Sequence, residues 1–206
     1  MKNKAAIFGG SFNPIHIGHL SAALNVCEIM KLNCIYFIPN NYPVHKDVID
    51  KIDANERLYM VKQAIIPYAR FSCLDLEIIR RGPSYMIDTV KEFYRLFPDV
   101  EKPVGLIIGE DLISGLEKWE RIHELTDLVQ IIAITRNNGK QKIIDSIYNS
   151  IIDKYRIIQL PVIRLDISSR LIRQRYQDNL DNSLYLPESI NNYILKKRFY
   201  QKDNKF

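Results

Sequence analysis

The chain holds 206 residues, 47% of them hydrophobic and 26% charged, enough for one α/β domain with a sizeable core, with or without a small appendage. No apolar run approaches the roughly 18 residues of a membrane span, and the apolar stretch after Lys4 is too short for a secretion signal, so a cytoplasmic protein without membrane attachment is expected. Most of the net charge of +5 sits in residues 196–206, where Lys196, Lys197, Arg198, Lys202 and Lys205 face only Asp203, so the body lacks the basic face that nucleic-acid binding wants.

Lys4 to Phe8 reads as a first strand and Ser21 to Met30 as a first helix. Between them lies the glycine-rich stretch Gly9 to Leu20 (GGSFNPIHIGHL). Asn33 to Ile38 is a continuous apolar strand closed by Pro39, and a polar loop follows over 39–53. Asp53 caps a helix over 54–66, with Glu56 placed to close a capping box. Phe71 to Ile79 alternates apolar and polar residues and reads as a strand. Ser84 is expected to cap a helix running to Leu96. Val104 to Ile108 is a buried strand that stops at Gly109-Glu110-Asp111, and a helical stretch holding Trp119 follows. Val129 to Ile134 is a further buried strand, 141–154 a helix, and Tyr155 to Leu160 a shorter strand. Ser168 caps a helix to Tyr176, and Pro187 fits the first turn of a last helix to Lys197. Apolar strands alternating with helices predict an α/β fold: a Rossmann-like open parallel sheet, helices on both faces, and a small helical C-terminal portion.

Cys27, Cys34 and Cys73 are odd in number, widely spaced and set among apolar residues, which predicts buried free thiols in a reducing compartment. Neither G-x-G-x-x-G nor G-x-x-x-x-G-K-[ST] occurs, so the dinucleotide and P-loop readings of a glycine-rich turn are unsupported. The turn offers instead the backbone N–H groups of Gly9, Gly10, Ser11 and Phe12, with His16 and His19 three apart around Gly18. Such a pair can bind metal, act as acid and base, or donate to phosphate; a third ligand in matching position is not evident, and no protein-held metal is expected. Ser168 and Ser169 at a helix start expose hydroxyls and N–H groups to an anion. Arg173, one turn on, adds a forked cation suited to phosphate.

The stretch GSFNPIHIGH resembles the G-[ST]-F-[DN]-P-x-H-x-G-H signature of the nucleotidylyltransferase superfamily, and Ile167 to Arg173 resembles its I-S-S-T-x-I-R. Within that superfamily the chain is most similar to the bacterial nicotinate mononucleotide adenylyltransferases. Pro39 to Lys46 resembles their P-N-x-x-P-P-H-K loop, Gly82 to Thr89 their G-P-S-Y-T-x-D-T, and Gly109 to Asp111 with Trp119 their G-x-D…W. Four departures stand out: Val44 for a second Pro, Met86 for Thr, Arg170 for the Thr of I-S-S-T, and Arg136-Asn137-Asn138-Gly139 where R-P-G is common.

The resemblance implies one nucleotidylyltransferase domain, its main sheet and helices within 1–160 and a phosphate-binding helix, terminal helix and basic tail in 161–206. It implies adenylyl transfer from ATP to nicotinate mononucleotide, with nicotinamide mononucleotide as the competing acceptor and a non-catalytic nucleotide-binding module as the competing class. His16 and His19 would be the catalytic pair. Gly9, Gly10, Ser11, Phe12, Gly18, Gly109, Asp111, Ser168, Ser169 and Arg173 would bind ATP. His45, Lys46, Ser84, Tyr85, Met86, Trp119, Glu120 and Arg136 would bind the mononucleotide. Mg²⁺ would be bridged by the ATP phosphates. Trp119 would stack on the pyridine ring, although a lone tryptophan is also what a core uses. Neither nucleic acid nor membrane is an expected partner, and the oligomeric state, a homo-oligomer included, is left open.

Overall fold

The computed structural model describes residues 3–41, 52–136, 146–162 and 165–201. Six strands form one parallel sheet: β1 (Ala5–Gly10), β2 (Cys34–Pro39), β3 (Phe71–Cys73), β4 (Val104–Gly109), β5 (Val129–Arg136) and β6 (Ile158–Val162), in the order β3-β2-β1-β4-β5-β6. Ala6 to Phe8 pair with both Ile35–Phe37 and Gly105–Ile107, so β1 is central. The order turns about β1 and β4: the chain winds outward on one side of β1, then returns to β4 and winds the other way.

Both faces of the central strands are covered, which explains their unbroken apolar runs. Successive side chains point to opposite faces. Ala6, Phe8, Ile35, Phe37, Ile107, Ile132 and Ile134 join one core, with α1 (Ile17–Ile29), α2 (Ala54–Ile65), α7 (Ser169–Gln177) and α8 (Glu188–Lys197). Ala5, Ile7, Tyr36, Ile38, Leu106, Ile108, Ile131 and Ala133 join the other. That second core lies against α3 (Leu76–Arg80), α4 (Met86–Leu96), a 3-10 helix (Glu110–Lys118), α5 (Ile122–Leu128) and α6 (Ser146–Lys154). Full burial of each large side chain contributes about 1.5–3 kcal/mol.

Several boundaries differ from the sequence reading. Helix α1 starts at Ile17 because the extended His16 carbonyl accepts from His19 N–H (3.0 Å) and Leu20 N–H (3.3 Å), drawing Gly18 and His19 into its first turn. Asp53 caps α2 by accepting from Asn55 N–H at 2.7 Å, but Glu56 does not close a box: it pairs with Tyr193 and with Lys197 on α8. The span 71–79 is not one strand. Pairing ends at Cys73, and α3 begins at Leu76, where Leu76 and Glu77 are buried. Tyr85, not Ser84, is the N-cap of α4, because Ser84 Oγ accepts instead from Asn41 N–H at 3.1 Å. Trp119 lies one residue past the 3-10 helix. Strand β6 is displaced toward the C-terminus: Tyr155 closes α6 on Ile151, Arg156 turns the chain at φ 48°, and pairing starts at Ile158. Ser168 does cap α7, accepting from Leu171 N–H at 3.2 Å. Pro187 is the N-cap of α8.

Candidate active site

A cavity of about 930 Å³ opens at the carboxyl ends of β1 and β4, where the strand order reverses. Open α/β sheets bind ligands at this point. The cavity gathers His16 and His19 with Gly9, Gly10, Ser11, Phe12, Gly18, Gly109, Asp111, Ser168, Ser169 and Arg173.

Each part of the turn has a local cause. Phe12 reverses the chain at φ 45° and is held there by its ring, 2% exposed and edge-on to Phe8 and His19. It serves as an apolar anchor as much as a backbone donor. His16 is 4% exposed and stacks on His19 with ring centroids 3.7 Å apart. His19 Nδ1 accepts from the His16 N–H at 3.3 Å, which assigns the neutral ring's proton to Nε2 and makes that atom a donor. Gly18 lets His16 pack closely: a Cβ there would lie 3.0 Å from His16 Nδ1, so the ring would have to give way by a few tenths of an ångström.

Two motifs some 150 residues apart meet through specific bonds. Ser169 Oγ donates to the Pro14 carbonyl at 2.8 Å, and Arg173 Nη1 to the Asn13 carbonyl at 2.9 Å. Tyr200 OH bonds Asn13 Oδ1 at 2.6 Å. The N-terminus of α7 is thereby clamped against the turn that starts α1, and two helix N-termini share one cavity. Their partial positive charge adds to that of Arg57, Arg170 and Arg173 in the lining, against Asp53 and Asp111.

The residues expected to hold a mononucleotide are divided. Tyr85, Met86 and Trp119 are half-buried and pack against the second core, across the sheet from α7. Met86 reaches back to the turn, its Cε 2.6 Å from where a Cβ on Gly9 would stand. Glu120 is exposed, and Ser84 is occupied by Asn41. His45 and Lys46 lie outside the described residues, as do residues 137–139; Arg136 ends β5.

Sequence reasoning missed Arg57. It is 5% exposed and lines the cavity, donating to Ser11 O (2.6 Å), Asn40 O (2.6 Å), Asn40 Oδ1 (3.2 Å) and Asn41 O (3.2 Å). Burial pushes its pKa down. A signal was present: Arg57 falls with Met60, Val61 and Ala64 on the buried stripe of α2, where an arginine is out of place unless it has a task. The three cysteines are free; Cys27 is buried, and Cys34 and Cys73 are half-buried. Burial raises all three thiols, that of Cys73 to about 12, so they are poor nucleophiles. Among the described residues no helix is long and apolar enough to cross a membrane.

A doubly wound sheet with paired histidines and a serine-capped helix at its switch point is the framework of a nucleotidyltransferase. Residues 7–175 match the cytidylyltransferase-like family, and the chain belongs to it. It is 35% identical over 197 residues to the probable nicotinate-nucleotide adenylyltransferase of Geobacillus thermodenitrificans, covering 96% of this chain and 86% of that one. It is 36% identical over 209 residues to the probable nicotinate-nucleotide adenylyltransferase of Enterococcus faecalis, covering 99% and 89%. The solved structure of Plasmodium falciparum nicotinic acid mononucleotide adenylyltransferase complexed with NaAD shares the fold, with a TM-score of 0.73 at 22% identity over 96% of this chain and 97% of that one.

Proposed function

We propose that this nucleotidyltransferase transfers AMP from ATP to nicotinate mononucleotide, giving nicotinate adenine dinucleotide and pyrophosphate in NAD biosynthesis. The observation that carries the reading is the meeting of the His16–His19 turn with the Ser168–Arg173 helix start in one cationic cavity. The names of the relatives support the choice of acceptor.

In this reaction a phosphate oxygen of the mononucleotide attacks the α-phosphorus of ATP. The new P–O bond forms as the bond to the β-phosphate bridging oxygen breaks, and pyrophosphate leaves with that electron pair. The attacking phosphate is already ionised, so no protein base is needed, and catalysis rests on alignment and charge stabilisation. His19, with its proton on Nε2, donates to the α-phosphate. His16, stacked behind it, holds that ring in place. Ser168, Ser169, Arg173 and the free N–H groups of α7 take the β- and γ-phosphates. The backbone N–H groups of Gly9 to Phe12 lie along the triphosphate, and Asp111 accepts from a ribose hydroxyl. Trp119 stacks on the pyridine ring, with the Tyr85 and Met86 backbone and Glu120 beside the carboxylate; His45, Lys46 and Arg136 complete the mononucleotide side.

Among the described residues no group of three or more His, Cys, Asp or Glu side chains could cage a metal, and the carboxylates lining the cavity are those of Asp53 and Asp111. That donor set fits Mg²⁺ carried by the phosphates, a form that suits an ion reluctant to shed its waters. Bound there, the ion would neutralise charge on the phosphate oxygens. The deciding assay measures pyrophosphate release with ATP–Mg²⁺ and each mononucleotide. Release with the nicotinate form, exceeding that with the nicotinamide form, is expected. Equal or faster turnover of the amide would overturn the acceptor, and ATP binding without release would overturn the activity.

A further inference from the structure

The Asn40–Asn41 peptide is held from both sides. Its carbonyl, that of Asn40, accepts from Arg57 Nη2 at 2.6 Å, and its N–H, that of Asn41, donates to Ser84 Oγ at 3.1 Å. Glu77 is 2% exposed and accepts from Thr89 Oγ1 at 2.7 Å; burial pushes its carboxyl pKa up, and Ser84 and Thr89 pull it back down. Arg80 donates to that same Thr89 oxygen at 2.9 Å. The series runs from Ser11 in the β1–α1 turn, through Arg57 and Asn40–Asn41 at the end of β2, to Ser84 in the turn before α4. We infer that Arg57 and Ser84 are positioning residues that lock the turn at the triphosphate side to the turn at the mononucleotide side, and so set the alignment of the two substrates. The inference rests on the adenylyl-transfer reading for its catalytic consequence.

Three features favour alignment over plain packing. Arg57 makes no ion pair among the described residues; all four of its acceptors are neutral oxygens, three of them main-chain carbonyls on two different turns. A buried cation without a carboxylate costs desolvation that an apolar side chain would avoid. What an apolar side chain cannot do is join those carbonyls, and a planar fork of donors can. Second, burial pushes the Glu77 carboxyl pKa up and that of Arg57 down, and across the shared peptide each of the two groups opposes that shift in the other. Third, the two ends of the series are where the candidate substrates meet. Ser11 lines the cavity beside His16 and His19, while Ser84 precedes Tyr85 and Met86, the latter against Gly9.

The test uses the full chain with Arg57→Lys, Ser84→Ala and the double substitution. Lysine keeps the charge but not the fork, and Ser84→Ala removes only a hydroxyl, so the second variant folds if the first does not. Each single change is expected to lower kcat about tenfold while KM for ATP and for the mononucleotide stays within about threefold, the signature of lost alignment. The double variant should lose no more than about threefold beyond the worse single, because both act through one peptide. Hydrogen exchange gives a readout independent of turnover: Ser84→Ala should speed exchange of residues 9–13 at least about threefold, although Ser84 itself bonds Asn41. Losses that multiply in the double variant, an unchanged kcat, or faster exchange confined to residues 40–41 would each overturn the inference. If the unaltered protein released no pyrophosphate, the function reading would fail, and the exchange result would still decide whether the two turns are coupled.

Discussion

Replacing Gly18 with Ala separates a catalytic effect from a stability effect. The glycine is the second residue of α1, where alanine is favoured over glycine by up to about 1 kcal/mol, so the helix itself should be no weaker. The added methyl would stand 3.0 Å from His16 Nδ1 and 3.1 Å from its Cε1, so reaching an ordinary 3.4 Å contact moves the ring about 0.4 Å. His16 is 4% exposed and stacked on His19 at 3.7 Å, so the shift passes to the second imidazole. If misplacement by 1 Å costs about a hundredfold, a shift of this size costs roughly five- to tenfold in kcat. The assay is pyrophosphate release at saturating ATP–Mg²⁺ and nicotinate mononucleotide, with thermal melting alongside. Gly115→Ala is the control, since a Cβ there meets nothing within 4 Å. Turnover of Gly18→Ala within about twofold of the unaltered enzyme, or a loss shared equally by Gly115→Ala, would refute the view that His16 packing sets catalytic geometry.

His19→Ala removes the Nε2 donor and should lower kcat about 10²–10³-fold with little change in melting temperature; near-normal turnover would exclude the α-phosphate role. Arg170 is exposed in the cavity lining and makes no hydrogen bond or ion pair among the described residues. Arg170→Thr should therefore raise KM for ATP by about three- to tenfold and leave KM for the mononucleotide unchanged, whereas an equal rise in both would place the cation elsewhere. Glu56 joins α2 to α8, its carboxyl pKa lowered first by the Tyr193 hydroxyl and then by Lys197. A depressed folded pKa stabilises above the ordinary carboxyl range, near pH 4.3, and the benefit fades as pH falls through the folded value. The melting-temperature gap between the unaltered protein and Glu56→Gln should be widest at neutral pH, reflecting at most about 1 kcal/mol for so accessible a pair, and should close on acidification. A gap independent of pH would mean that Glu56 acts by packing.

What the sequence made legible was what local chemistry dictates. Strands β1, β2, β4 and β5 carry apolar runs because both faces are covered. The His16–His19 turn and the Ser168 cap announce themselves through residue types that few other settings require. The segment 71–79 misled because F-S-C-L-D-L-E-I-I satisfies a period of two and hides a helix start at Leu76. Tertiary packing decided it, by burying Leu76 and Glu77 and leaving Ile79 68% exposed. Ser84 misled in the opposite way. It is a favourable capping residue, but Asn41, 43 positions away, takes its oxygen first. Glu56 likewise serves a partner 137 residues distant. Long-range hydrogen bonds of this kind leave no periodic trace, so local rules assign such side chains to the nearest plausible task.

The same sheet geometry explains why the two halves of the candidate site differ in legibility. At the switch point the chain leaves β1 toward α1 on one face and leaves β4 toward the 3-10 helix on the other. The residues proposed for the triphosphate fall on the first side, as helix N-termini, imidazoles and a guanidinium, all of them conspicuous in a sequence. On the other side Tyr85, Met86 and Trp119 look like core residues because in part they are, half-buried against the second core. Gly9 is the seam between the two. Met86 Cε lies 2.6 Å from where a Cβ on residue 9 would stand, so a side chain there would first turn the flexible end of Met86 aside. A side chain on residue 9 would therefore move the Met86 methyl before it moved the start of α4.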